Sequence, residues 1–211
     1  VHGVLNSDNM NITGESFDYG PWRWLPRWDP AFTAAYFDHS GLYAFARQPE
    51  AIHWNCGQLA VALRLLVEAP PLIAALERFG PLYQEALARR FAWRLGVESH
   101  GFEADSALIA AAETAMRESG IAPDRFFFAH RGGRGDPAGE FGDLLKGYRA
   151  IGDDHPLWAE PGPPSLVIDE VERIWDAIDR HDDWTPLAEQ VAAIRRLGQA
   201  LGPAPEPAGH G

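Results

Sequence analysis

The chain has 211 residues, 46% of them hydrophobic and 23% charged, with 18 basic against 30 acidic side chains and a formal net charge of −12. Such a composition belongs to a globular chain of one domain, or one with an appendage. The shortage of Lys and Arg argues against a nucleic-acid partner, which would be held through its phosphates. No apolar run reaches the ~20 residues that span a bilayer, so no membrane partnership is expected, and the lone Cys56 excludes an internal disulfide framework or a Cys-rich zinc site and fits a reducing compartment.

Residues 1–48 are rich in aromatics, Gly and Pro, and predict loops, short strands and at most one short helix. From Pro49 the apolar period becomes helical. Ile52, Leu59, Leu63, Leu66 and Val67 form a stripe, with Pro49 in the first turn and Pro70-Pro71 as the stop. The stretch 72–96 predicts a helix bent or broken at Gly80-Pro81, with Leu82, Ala86, Phe91 and Leu95 as its later stripe and Gly96 as its end. Residues 103–120 predict another helix, closed by Gly120. The glycine-rich "AHRGGRGDPAGEFG" reads as a mobile loop leading into a short helix over 143–150, and "GDDHPLWAEPGPPS" as a long connection. Val167, Val171, Ile174 and Ile178 share one helical face, and Leu187, Val191, Ile194, Leu197 and Leu201 another, with Thr185 as cap before Pro186. The Pro- and Gly-rich residues 203–211 predict a disordered tail. The fold class is therefore mainly α, with a small loop-and-hairpin region at its N-terminal edge.

The chemistry concentrates in "HGVLNSDNMNITGESFDYG". Protein kinases hold substrate and metal with His-Arg-Asp-Leu-x-x-x-Asn, a short hairpin, and Asp-Phe-Gly. With His2 on the kinase His, Leu5 falls on the Leu and Asn9 on the metal-binding Asn, and Asp18-Tyr19-Gly20 replaces Asp-Phe-Gly. "MNITGESF" forms the hairpin between them, turning near Thr13-Gly14. An Asn carbonyl and an Asp carboxylate are hard oxygen donors of the kind Mg²⁺ takes. Val4 stands where the kinase catalytic Asp belongs, and a valine accepts no proton. Either the site is a dead kinase or another group is the base, and Asp8 is the nearest carboxylate.

This stretch resembles the His-Gly-Val-Met-Asn-Thr-Asp-Asn-Met and Asp-Tyr-Gly-Pro signatures of the selenoprotein O family, whose members have a kinase-like fold and were once called pseudokinases. The resemblance continues through "GLYAFARQPEAIHWNCGQLAVAL" and fades after about Gly96. It implies the C-terminal helical lobe of a protein-kinase-like fold. It also implies protein adenylyltransferase activity, in which AMP passes from inverted ATP to Ser, Thr or Tyr hydroxyls of other proteins. By the same resemblance Asp8 is the proton acceptor, Asn9 and Asp18 bind Mg²⁺ or Mn²⁺, and Asp18 also lies against the ATP phosphates. Residues 1–48 would then be catalytic loop, metal-binding hairpin and following loop, 49–202 the helical lobe, and 203–211 the tail. A bacterial member would be cytoplasmic, a eukaryotic one mitochondrial.

Leu42 stands in place of the family's Arg and Ser7 in place of Thr, and the tail carries neither selenocysteine nor Cys, so no redox role is expected. The family's glycine-rich loop, phosphate-binding Lys and phosphate-contacting arginines precede this motif and are not among these residues. The chain is thus expected to be a C-terminal fragment, inactive alone. The alternatives are a protein kinase or dead pseudokinase scaffold, and a helical protein-interaction module. His2 is expected to hold the loop backbone, Trp54 and Asn55 to be a core residue and a buried hydrogen bond, and Cys56 a small core residue. The remaining histidines lack metal-ligand spacing, and "DRHDDW" reads as a solvated helix end.

Overall fold

The computed structural model of the chain describes residues 1–16, 20–152 and 154–205. Helices dominate, and among the described residues β-pairing is confined to three isolated antiparallel bridges, His2 with Trp22, Met10 with Ser16 and Val97 with Ala150. The chain divides into two compact units, Val1–Leu25 with Asp29–Gln84, and Pro26–Trp28 with Glu85–Gly211.

In the first unit the described residues of the opening segment hold one 3₁₀ turn, Ser7–Asn9, and their backbone is paired. The Arg23 amide donates to the Val1 carbonyl, and the Gly3 amide to Pro21 at 2.8 Å. A Cβ on Gly3 would come within 2.7 Å of that same Pro21 oxygen, so this approach requires glycine. The expected hairpin is present over its described part. The Asn11 amide donates to Glu15, and Gly14 turns the chain with φ +84° while its amide donates to Asn11.

Helix α1 (Gln48–Leu63) starts at Pro49 as expected but stops short of the predicted end, because the chain turns at residues 64–66. Pro70-Pro71 do not end a helix; they open α2 (Ala69–Glu77), where a missing N–H leaves no bond unmade. The predicted apolar stripe of α1 is also not its buried face. Ala51 and Asn55 are buried, whereas Leu66 is 82% exposed and Leu59 and Val67 are exposed as well. Trp54, expected in the core, is 60% exposed. The next break comes at Arg78, two residues before Gly80-Pro81. Both then sit in the first turn of α3 (Phe79–Leu95), where a proline is tolerated.

The second unit is built on the later part of α3, α4 (Phe102–Ser119), α5 (Pro123–Ala129), α6 (Gly139–Leu145), α7 (Ile168–His181) and α8 (Thr185–Leu201). Its main core joins Phe91 and Leu95 of α3 with Leu108, Ala112 and Met116 of α4, Phe126 of α5, and Phe141 and Leu145 of α6. A smaller core joins Phe128, Leu157, Trp158 and Ala200. Gly96 and Gly120 stop α3 and α4 at φ +66°, as the sequence predicts.

Helix α6 lies earlier than its predicted place. Gly142 permits this, since a Cβ there would sit 1.6 Å from the Pro137 oxygen. Residues 149–151 are left extended to pair with 96–98. The connection after Gly152 contains a 3₁₀ turn, Pro156–Ala159, capped by His155 Nδ1 accepting from the Leu157 amide. Thr185 is the first residue of α8 and not its cap. Trp184 holds the cap position, and Asp183 before it accepts from the Thr185 amide at 3.0 Å; the side-chain and backbone hydrogen bonds of Thr185 hold the Asp183 carboxyl below its usual range.

The glycine-rich loop is anchored where mobility is expected. Arg131 is 2% exposed. Its guanidinium donates to the carbonyls of Trp93, Arg94 and Gly152 and lies 4.6 Å from the Trp158 ring centroid. The first two carbonyls belong to the last turn of α3, which carries the negative end of the helix dipole.

Candidate active site

The candidate site lies in the first unit. His2 is buried, with its ring 6.0 Å from that of Trp22. Its Nδ1 accepts from the Val4 amide at 3.1 Å, which places the ring proton on Nε2. Nε2 therefore donates to Ser16 Oγ at 3.0 Å, and Ser16 Oγ donates to the Asn9 carbonyl at 3.0 Å. One imidazole and one hydroxyl thus tie the loop's start to Asn9 and to the far side of the hairpin. The Asn9 side chain is oriented too. Its Nδ2 donates to the Val4 carbonyl at 3.1 Å, which fixes which end of the amide is the oxygen. Val4 thus serves this loop through its backbone.

Helix α1 fixes the loop from the other side. Gln48 Nε2 donates to the His2 carbonyl at 2.7 Å, and Asn55 Nδ2 to the Leu5 carbonyl at 2.6 Å. Asn55 is the buried hydrogen-bonding residue expected from the sequence. Ser7–Asn9 form a single 3₁₀ turn, which brings Asp8 to the surface.

Asp8 lines a cavity of about 460 Å³. Leu5, Asn6 and Ser7 line it with Asp8; the facing residues are Leu42, Tyr43, Arg47, Glu50, Ala51 and Trp54. Tyr43 is held at two points. Its backbone amide and that of Leu42 donate to the Asp38 carboxylate, both at 2.8 Å, and its hydroxyl donates to Asn6 Oδ1. Burial, with the nearby charges of Asp38 and Asp8, pushes the Tyr43 phenol up, so it stays a donor at neutral pH. Arg47 is engaged as well, with Nε and Nη2 on Glu50 at 3.0 and 3.4 Å and Nη1 on the Gly41 carbonyl.

Burial raises the Asp38 carboxyl, but the amides of Tyr43 and Leu42 and the Ser40 hydroxyl outweigh it, so Asp38 lies below its ordinary value. A lowered folded-state pKa stabilises the fold above the unfolded-state value and ceases to do so as pH falls through the folded-state value. Asp38→Ala is therefore expected to lower urea-unfolding stability at neutral pH, and the gap from the parent to close as the carboxyl protonates. A gap independent of pH would disprove this role.

Of the residues singled out from sequence, the structure places Asp8 on the cavity wall and Asn9 in the same 3₁₀ turn, its amide oriented by Val4. Asp18 lies outside the described residues. Among the described residues no group of three or more His, Cys, Asp and Glu is arranged to hold a metal. The sequence reading missed Asn6, Tyr43, Arg47, Glu50 and the cavity role of Trp54. Only the two residues between Arg47 and Glu50, a helical ion-pair spacing, signalled any of them.

The family model of the protein adenylyltransferase SelO matches residues 1–134, well over half of the chain. The chain belongs to this family. Three curated relatives, each named protein nucleotidyltransferase YdiU, illustrate the range. The Trichodesmium erythraeum protein is 33% identical over 218 residues, covering 92% of this chain and 46% of its own. The Synechocystis protein is 31% identical over 224 residues, covering 92% and 47%. The Synechococcus protein is 45% identical over 119 residues, covering 55% and 24%. The chain thus spans about half the length, or less, of these relatives. The SelO match runs beyond Gly96, where the resemblance read from sequence fades, and takes in α4, α5 and Arg131.

Proposed function

We propose that the chain forms the catalytic-loop and helical part of a protein adenylyltransferase with a kinase-like fold, one that moves AMP from ATP to Ser, Thr or Tyr hydroxyls of proteins in the cytoplasm. The observation that carries the reading is the Asn9 amide. It is oriented by the backbone of the very position, Val4, at which a kinase would carry its base. The metal-binding half of a kinase loop is thereby kept while the kinase base is absent.

In this reading the acceptor oxygen bonds to the α-phosphorus, the bond from that phosphorus to the bridging oxygen breaks, and pyrophosphate leaves with the electron pair. The acceptor's proton goes to the Asp8 carboxylate. Asn9 Oδ1 and the Asp18 carboxylate would hold Mg²⁺ or Mn²⁺, both being hard oxygen donors, and Asp18 would also lie against the phosphates. The ion, when bound, neutralises phosphate charge. His2 and Ser16 do no chemistry; they hold Asn9 in place.

By itself the 211-residue chain is proposed to be inactive. The cation that lines the cavity beside Asp8 is engaged by Glu50, and two ligands alone hold Mg²⁺ weakly. Calorimetric titration with Mg-ATP is expected to show affinity no tighter than about millimolar; micromolar binding would refute this.

Transfer itself is tested in a chimera in which these 211 residues replace the matching stretch of the Trichodesmium erythraeum relative. ATP labelled at the α position should mark acceptor protein, and ATP labelled at the γ position should not. Label from the γ position alone would make the site a kinase.

A further inference from the structure

The cavity beside Asp8 is larger than one carboxylate's surroundings require, and its lining is specific. At about 460 Å³ it lies within the range of small-ligand pockets, with room for one or two side chains. Leu5 and Ala51 are buried in its wall, and Leu42 and Trp54 also line it at 48% and 60% exposure. Together they give the cavity an apolar rim against which a side chain can pack.

The charges narrow what that is. The Arg47 guanidinium is paired with Glu50 and donates to the Gly41 carbonyl, so the pair is close to neutral, and Asp8 adds a negative charge. Such a lining offers a polyphosphate no net positive charge to bind. A neutral or basic peptide carrying a large apolar side chain needs none. The lining is also preset, since Tyr43 is fixed by Asp38 and Asn6 before anything binds.

We infer that this cavity seats the acceptor segment of the protein substrate, with the reacting hydroxyl beside Asp8 and a neighbouring aromatic or aliphatic side chain against Trp54 and Leu42. The inference rests on the adenylyltransferase reading for the word acceptor and on the cavity alone for the peptide. Selection among hydroxyl residues then comes from the apolar neighbour and not from a charged sequence motif.

The test uses the unmodified 211-residue chain, ¹⁵N-labelled, with its Trp54 indole resonance assigned through Trp54→Phe. The probes are two blocked tetrapeptides, Gly-Ser-Phe-Gly and Gly-Ser-Gly-Gly, and AMP. The Phe peptide is expected to shift the Trp54 indole signal with a dissociation constant in the millimolar range or below. The Gly peptide should bind about tenfold more weakly, the effect of burying one aromatic ring. Leu42→Ser should weaken the Phe peptide several-fold without moving the thermal midpoint, because Leu42 is exposed.

Silence at Trp54 up to about 10 mM Phe peptide, or equal binding of the two peptides, would overturn the inference. So would a Trp54 shift by AMP at lower concentration than by peptide, which would mark a nucleotide-base seat. Failure of the transfer reading looks different: a γ-phosphate label in the chimera with the Trp54 response to peptide intact.

Discussion

Asp8→Ala is expected to slow AMP transfer in the chimera by about 10²–10⁴ at saturating nucleotide and metal, the usual contribution of a positioned base. The KM for ATP should hardly change. Asp8 sits on the cavity wall in the Ser7–Asn9 turn, and the charge pair across the cavity is already satisfied within itself. On the adenylyltransferase reading, removing the carboxylate removes the proton acceptor and leaves the cavity's shape to Asn6, Tyr43 and Trp54. Asp8→Asn should lose as much rate as Asp8→Ala, since an amide keeps the volume but not the basicity. Asp18→Ala should abolish transfer by a different route, through lost metal and phosphate binding. The measurement is kcat and KM with α-labelled ATP. A full rate for Asp8→Ala under saturating conditions would remove Asp8 from the chemistry.

The second large effect is on stability. Arg131→Met is expected to cost about 3 kcal/mol, because the partly buried Trp93, Arg94 and Gly152 carbonyls each lose a charged donor. The methionine would still fill space against Trp158, so the loss reports the hydrogen bonds together with the guanidinium's charge on the ring and the helix end. Arg131→Lys should fall between, since an ammonium keeps the charge at the end of α3 but cannot reproduce the guanidinium fork. Gly96 is part of the same arrangement. It ends α3 at φ +66°, and a Cβ on it would lie 2.8 Å from Arg131 Nε, so the helix stop and the seat of the arginine depend on one missing atom. Urea unfolding of the 211-residue chain measures these differences. A loss under about 1 kcal/mol for Arg131→Met would mean that water replaces the guanidinium at little cost.

What the sequence shows and what it hides divide along physical lines. Gly96 and Gly120 were legible as helix ends because a left-handed residue after an apolar period favours glycine. The His2-to-Asn9 stretch was legible as one local arrangement because the hydrogen bonds that shape it, from Val4 to His2 and from Asn9 to Val4, span few residues. Burial was less legible. The apolar stripe of α1 satisfies helical spacing, yet Leu59, Leu66 and Val67 are exposed, since periodicity says which residues share a face and not what covers it. Arg131 was missed for the converse reason. Its neighbours are glycines, which suggest a loose loop, while the carbonyls that hold it come from 21 to 38 residues away in the chain. The break at Arg78 came before the Gly80-Pro81 pair because proline marks the first turn of a helix as readily as its end. The cavity was invisible to spacing altogether, because its opposite wall comes from residues 42–54, more than thirty positions from the loop it faces.

The Val4 amide, which donates to the Nδ1 of His2, has a consequence for spectroscopy. In a segment with no helix or strand to protect it, this amide exchanges slowly with solvent only while the imidazole keeps its proton on Nε2. The proton on Nε2 is in turn what lets Ser16 turn its hydroxyl toward Asn9. A single backbone resonance at Val4 therefore reports the tautomer of a ring and, through it, whether the hairpin is latched.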